Sequence, residues 1–169
     1  MSKARPSDLV LTKSGVRFCN RLIPCSIGAG GISTSKREGD GATPVGQHRI
    51  MGLYYRPDRI ARPAPHAVPI GAFDLWSDDE NDPAYNHLVR PPHSFSHESM
   101  RRADPLYDLV LVTDWNWPRA LPGRGSAIFL HVWRRPHYPT AGCVAFAKPD
   151  LLWIINRLAL DSCLIVPPL

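Results

Sequence analysis

The chain has 169 residues with 20 Lys/Arg against 15 Asp/Glu, a formal net charge of +5, and is 44% hydrophobic and 21% charged. This balance excludes a disordered chain, and the length suits one domain over 1–169 whose core hides roughly two thirds of the unfolded surface. Apolar runs reach only four or five residues where a membrane-crossing helix needs ~18, and the basic residues fall singly without a basic helix face, which argues against an integral membrane segment and against nucleic acid as a partner.

The first residues are basic but lack an apolar stretch or a small-residue cleavage site, so no secretory signal is read there. Short β-forming runs follow at 8–12, 16–20 and 22–27, then a glycine-rich stretch over 28–46 and a longer run at 47–55. The middle third concentrates proline (Pro57, Pro63, Pro65, Pro69, Pro83, Pro91, Pro92, Pro105), which predicts a long loop-rich insertion of the kind that shapes a site. Within it, Ser96 as N-cap predicts a short helix over 96–102, and Asp74, Asp78, Asp79, Glu80 and Asp82 read as a solvated acidic loop without the spacing of a calcium site. Further strands are expected at 107–113, 126–133, 144–147 and 163–166. A helix is expected from Pro149, with Leu151, Leu152, Ile154, Ile155 and Leu158 on one face. Eight strands and one or two short helices make a mainly β fold, a mixed β-sandwich or barrel.

The chemistry concentrates between Ser126 and Phe146. An apolar strand delivers His131, a loop with Arg134, Arg135, His137 and Tyr138 follows, and Thr140-Ala-Gly142-Cys143 then presents a thiol beside small residues. A thiol attacks a carbonyl as its thiolate, and a nearby imidazole can take its proton and return it to a leaving amine. The spacing leaves open a catalytic Cys143/His131 pair and a structural histidine. Zinc ligation by His131, His137, Cys143 and Cys163 is disfavoured, because H-x5-H-x5-C matches no common zinc module. The glycines at 28, 30, 31, 39, 41 and 46 read as turns, since no phosphate-loop pattern accompanies them. Cys19, Cys25 and Cys163 read as separate buried thiols.

A histidine, a variable loop and Thr140-Ala-Gly142-Cys143 resemble the H…[S/T]-x-G-C signature of the YkuD-type L,D-transpeptidase catalytic domain. Lys36-Arg-Glu-Gly39-Asp40-Gly41-Ala-Thr43-Pro44-Val-Gly46 is similar to the K-x-E-G-D-G-A-T-P-x-G run of single-domain bacterial members. Trp76-Ser-Asp-Asp79, Asp82-Pro-Ala-Tyr85-Asn86, Ser96-His97-Glu98 and Tyr107-Asp108 also fit, so the likeness runs from about Val16 to Ile165. It implies Cys143 as nucleophile, His131 as general acid and base, and the amides of Gly142 and Cys143 as oxyanion donors. The expected substrates are diaminopimelate-containing peptidoglycan stem peptides in the periplasm, joined through a thioester without metal or organic cofactor. Thr140, Arg124, Arg134, Tyr107, Trp76 and Tyr85 are candidates to bind the substrate, and a reactive Cys143 is expected to alkylate fast with a low apparent pKa.

Two departures stand out. Many members read S-H-G-C-[I/V]-R, whereas Ala141 and Ala145 occupy the second histidine and the arginine positions here; Val132 replaces a glycine after the base. The cross-link is either 3,3 between two diaminopimelates or 1,3 from L-Ala to diaminopimelate, and the missing arginine together with the domain-only length favours 1,3. The alternatives are a hydrolase of the same fold cutting the stem peptide and a non-catalytic wall-binding module.

Overall fold

Each of the eight β-forming runs folds as strand in the computed structural model, which describes residues 4–159 and 161–168. In chain order the strands are β1 (Leu9–Thr12), β2 (Gly15–Phe18), β3 (Arg21–Ile23), β4 (Cys25–Ser26), β5 (Ile32–Ser33), β6 (Thr43–Pro44), β7 (Gly46–Tyr55) and β8 (Val68–Pro69). They continue as β9 (Leu75–Ser77), β10 (Leu88–Val89), β11 (His97–Ser99), β12 (Leu109–Thr113), β13 (Phe129–Val132), β14 (Val144–Phe146) and β15 (Cys163–Val166), with α1 (Lys148–Ile155) between the last two.

The main sheet runs β3-β2-β1-β15-β7-β12-β13-β14-β4. Its two end strands are neighbours in the chain, separated only by Pro24, so one bent segment pairs with β2 through Arg21–Ile23 and with β14 through Cys25–Ser26. Proline has no N–H to offer a ladder, which suits it to the bend where the segment changes partners. The sheet therefore nearly closes into a barrel, and the fully buried Leu9, Val16, Ile23, Leu109, Leu130, Val144 and Leu164 fill it.

The expected C-terminal helix forms as α1, with Pro149 in its first turn and Asp150 there to meet the positive end of the helix dipole. Leu151, Ile154 and Ile155 bury against the core, and α1 packs on β13, the strand that carries His131. The helix expected at 96–102 does not form. Residues 97–99 are β11 instead, paired with β9, because a backbone ladder and the burial of Met100 outweigh a weak N-cap signal. The proline-rich insertion folds back as the small sheet β10-β9-β11; its Trp76, and Met100 just after β11, join Phe129, Val110 and Tyr107 in a second apolar cluster.

The cysteine expectations hold in part. All four thiols are free and Cys163 is buried, but Cys25 is half-buried and Cys19 is exposed at the β2–β3 turn with φ +45°. A tight turn there needs left-handed backbone, which turns the Cys19 side chain away from the core.

Candidate active site

The turn before Cys143 exists because three segments meet there with almost no side-chain bulk. Gly142 has φ +136°, and a Cβ there would stand 2.8 Å from the Ala42 carbonyl oxygen. A Cβ on Gly28 would stand 2.1 Å from the Gly41 carbonyl oxygen and 2.9 Å from Gly142 Cα. The glycine-rich approach and the turn before Cys143 are thus one packing unit. Thr43, fully buried, locks it: its hydroxyl donates to the Gly142 carbonyl (2.9 Å) and accepts the Gly28 N–H (3.0 Å).

The charged part of that segment is equally structural. Lys36, its side chain 3% exposed, donates to Asp40 (2.6 Å), and the Asp40 carboxylate accepts the N–H groups of Arg37 (2.7 Å) and Ala42 (2.8 Å). The Tyr85 hydroxyl donates to Glu38, which lines the cleft.

His131 sits on β13 opposite Ala145 of β14, and Cys143 lies two residues before Ala145. Strand parity places both side chains on one face, and both line a cleft of about 250 Å³. Other walls are Glu38, Asp78, Glu98, Arg102, Tyr107 and Arg134. The His131 ring is held by the Val132 carbonyl at Nδ1 (2.8 Å) and by the edge of Tyr107, 5.5 Å between centroids. With Nδ1–H donated to that carbonyl, Nε2 carries the free lone pair.

The thiol is held by backbone. Cys143 Sγ donates to the Ala127 carbonyl (3.0 Å) and accepts the Phe129 N–H (3.3 Å), and no hydrogen bond joins it to His131 among the described residues. Ala127 has φ +50°, a strained conformation for a non-glycine residue. It is pinned by Asn86, whose side-chain oxygen accepts the Ala127 N–H (2.9 Å) and the Trp76 indole N–H (3.0 Å). The Asn86 amide nitrogen donates to the carbonyls of Trp115 and Asn116.

Burial sets the electrostatics. Desolvation pushes the Cys143 thiol up to about 12; the Phe129 N–H and the Lys36 ammonium draw it down, while the Glu98 carboxylate pushes it up. Desolvation pulls His131 down to about 4. The resting pair is therefore a neutral thiol and a neutral imidazole, in contrast to the low-pKa thiolate expected from sequence. The cause is the 8% and 5% exposure of the two residues, which leaves little water to solvate charge.

The other sequence candidates separate into three groups. Tyr107 and Arg134 line the cleft, the Arg134 guanidinium lying over the Tyr138 ring at 5.4 Å. Thr140 also lines it, but its hydroxyl is committed to the turn, donating to the Cys143 carbonyl (2.6 Å) and accepting the Gly142 N–H (3.1 Å). Trp76, Tyr85 and Arg124 do not line it: Trp76 packs edge-on against Phe129 in the core, Tyr85 stands behind Glu38, and Arg124 stacks on Trp115. His137 lines a separate groove with Cys25, and Cys163 is on β15. Among the described residues no group of three or more His, Cys, Asp or Glu is arranged to hold a metal ion.

Thr43, Asn86 and the Ala127 carbonyl were not singled out by chemistry in the sequence. The threonine and the asparagine acquire these roles through contacts 99 and 41 residues away and the alanine through one 16 residues away, and only the motif likeness around Thr43 and Asn86 hinted at them. Residues 8–166 match the family model of YkuD, described as the L,D-transpeptidase catalytic domain. No curated protein and no solved structure matches the chain.

Proposed function

The chain belongs to the YkuD family of L,D-transpeptidase catalytic domains, and from that membership we propose that it joins peptidoglycan stem peptides through a thioester on Cys143. The family acts on peptidoglycan peptides of the cell wall outside the cytoplasm, so the periplasm is the proposed place of action. No helix among the described residues is long and apolar enough to cross a membrane. The observation that carries the reading is the convergence of Cys143 and His131 on one face of β13 and β14 at the floor of one cleft.

In the first half-reaction the donor carbonyl enters the cleft and Sγ attacks it. His131 Nε2 takes the thiol proton as the C–S bond forms, because a neutral thiol and a neutral imidazole separate charge most readily when the sulfur's charge is passing to the carbonyl oxygen. That oxygen is assigned to the N–H of Cys143, since the Gly142 N–H is already given to Thr140. His131 then protonates the departing amine. In the second half-reaction an amine of another stem, the side-chain amine of diaminopimelate, takes the acyl group and forms the cross-link.

Ala145, at the position of the family's arginine, lies fully buried beside His131, so no guanidinium reaches the donor from β14. Arg134 and Arg102 are the guanidiniums of the cleft, and the altered donor contact supports the 1,3 cross-link over the 3,3 one.

The test is mass spectrometry of products from disaccharide tetrapeptides and pentapeptides mixed with the protein or with Cys143→Ala. Cross-linked dimers that require Cys143 are expected, and their fragmentation distinguishes a donor ending in L-Ala from one ending in diaminopimelate. Shortened monomers alone would make the protein a hydrolase; an absence of any Cys143-dependent product would leave a wall-binding module.

A further inference from the structure

Glu98 lies opposite Trp76 in the β9–β11 ladder. Paired residues and their neighbours two positions away share a face, so Trp76, Asp78, Glu98 and Met100 all point inward. Trp76 and Met100 are 3% and 0% exposed in the apolar cluster under the cleft, while Asp78 and Glu98 reach the cleft wall itself. An inward carboxylate beside a thiol that must become negative is unfavourable through repulsion of the thiolate.

The Arg102 guanidinium attracts this charge without pairing with it. Among the described residues Glu98 makes no ion pair, and Arg102, which lines the same cleft, is held by both oxygens of Asp104 (2.9 and 2.8 Å). The Tyr107 hydroxyl donates to Glu98 Oε2 at 2.5 Å, which fixes the position of the carboxylate without cancelling its charge. The same tyrosine ring braces His131, so Glu98, Tyr107 and His131 form one connected wall around Cys143. Asp78 Oδ1, enclosed in this wall with no hydrogen-bond partner, awaits a donor as well.

We propose that Glu98, positioned by Tyr107, receives the cationic amine of the acyl acceptor and removes its first proton, which directs the thioester to an amine instead of to water. The inference rests on the transpeptidase reading above. The acceptor arrives as an ammonium and gives one proton to the Glu98 carboxylate. The freed lone pair forms the C–N bond as the C–S bond of the thioester breaks. The second nitrogen proton passes through His131 to the sulfur, restoring the thiol, and Glu98 returns its proton to solvent. The cost of the charge toward the thiolate in the first half-reaction is the counterpart of its use in the second.

The test follows the acyl-enzyme by intact mass after loading with a disaccharide tetrapeptide. It is then chased at pH 7 with a diaminopimelate-bearing stem tripeptide or with hydroxylamine, an amine that is already neutral at that pH. In Glu98→Gln the ratio of stem transfer to hydroxylamine capture is expected to fall about 100-fold, the lower end of what a positioned acid–base group contributes. Glu98→Asp, which keeps the charge, is expected to recover about tenfold of that loss. A ratio within about threefold of wild type, a parallel loss of both acceptors, or a Glu98→Asp ratio no better than that of Glu98→Gln would overturn the assignment while leaving Cys143 chemistry intact. Absence of an acyl-enzyme in the wild-type protein would instead overturn the transpeptidase reading, and this assignment with it.

Discussion

Replacing Thr43 by valine keeps the volume of a fully buried side chain and removes only its hydroxyl. Two groups then lose their partner at once: the Gly28 N–H, which donates to that oxygen at 3.0 Å, and the Gly142 carbonyl, which accepts from it at 2.9 Å. Neither is reached by water in this glycine-packed junction, where Gly28 has no room even for a Cβ. A buried group left without a partner costs ~1–3 kcal/mol, so at about 1.5 kcal/mol for each group the pair together costs about 3 kcal/mol. For a chain of this size each kcal/mol lowers Tm by ~2–4 °C, which gives a fall of about 6–12 °C. Thermal unfolding by circular dichroism reads the loss directly, and Thr43→Ser separates its origin. Serine keeps the hydroxyl and gives up one methyl, about 1 kcal/mol, so it should lose less than half as much. A fall below about 2 °C in Thr43→Val, or an equal fall in Thr43→Ser, would refute the view that this hydroxyl holds the turn before Cys143.

Burial places the Cys143 thiol up to about 12, so its alkylation by iodoacetamide, followed at the Cys143 peptide by mass spectrometry, should climb about tenfold per pH unit between pH 7 and 9. A plateau within that range would show a thiolate already formed at rest. His131 binds its proton near 6.5 when unfolded and at about 4 when folded. Between those values the unfolded chain holds more protons, so stability is full above about pH 6.5 and is lost as pH falls toward 4, by about 3 kcal/mol. Urea unfolding at pH 4.5 and pH 7 should show a smaller difference in His131→Gln than in wild type, and an equal difference would refute the assigned shift.

Much of the architecture could be read in the chain. Short β-forming runs marked eight strands, and Pro149 with the apolar spacing after it marked α1. What could not be read were the two- and three-residue strands of the insertion. Their ladders depend on partners elsewhere in the fold, and Ser96 to Arg102 carried a helix-start signal that the pairing of β11 with β9 overrode. Cys19 was misplaced for a related reason: an apolar residue type predicts burial, whereas the left-handed backbone of the turn decided its direction.

By itself the sequence determined which residues were available for chemistry, because Cys143 after Gly142 and His131 on an apolar strand are local patterns. It also determined the glycines that let three segments meet, since no side chain fits at Gly28 or Gly142. The tertiary structure alone decided the state of those residues. Burial made the thiol and the imidazole neutral, strand pairing brought them to one face, and Asn86 and Thr43 pinned the backbone around them. It also separated Tyr107, Arg134 and Glu98, which reach the cleft, from Trp76, Tyr85 and Arg124, which do not. The physical reason is range: a turn or a strand is written in neighbouring residues, whereas desolvation and contact depend on what the rest of the chain places within a few ångströms.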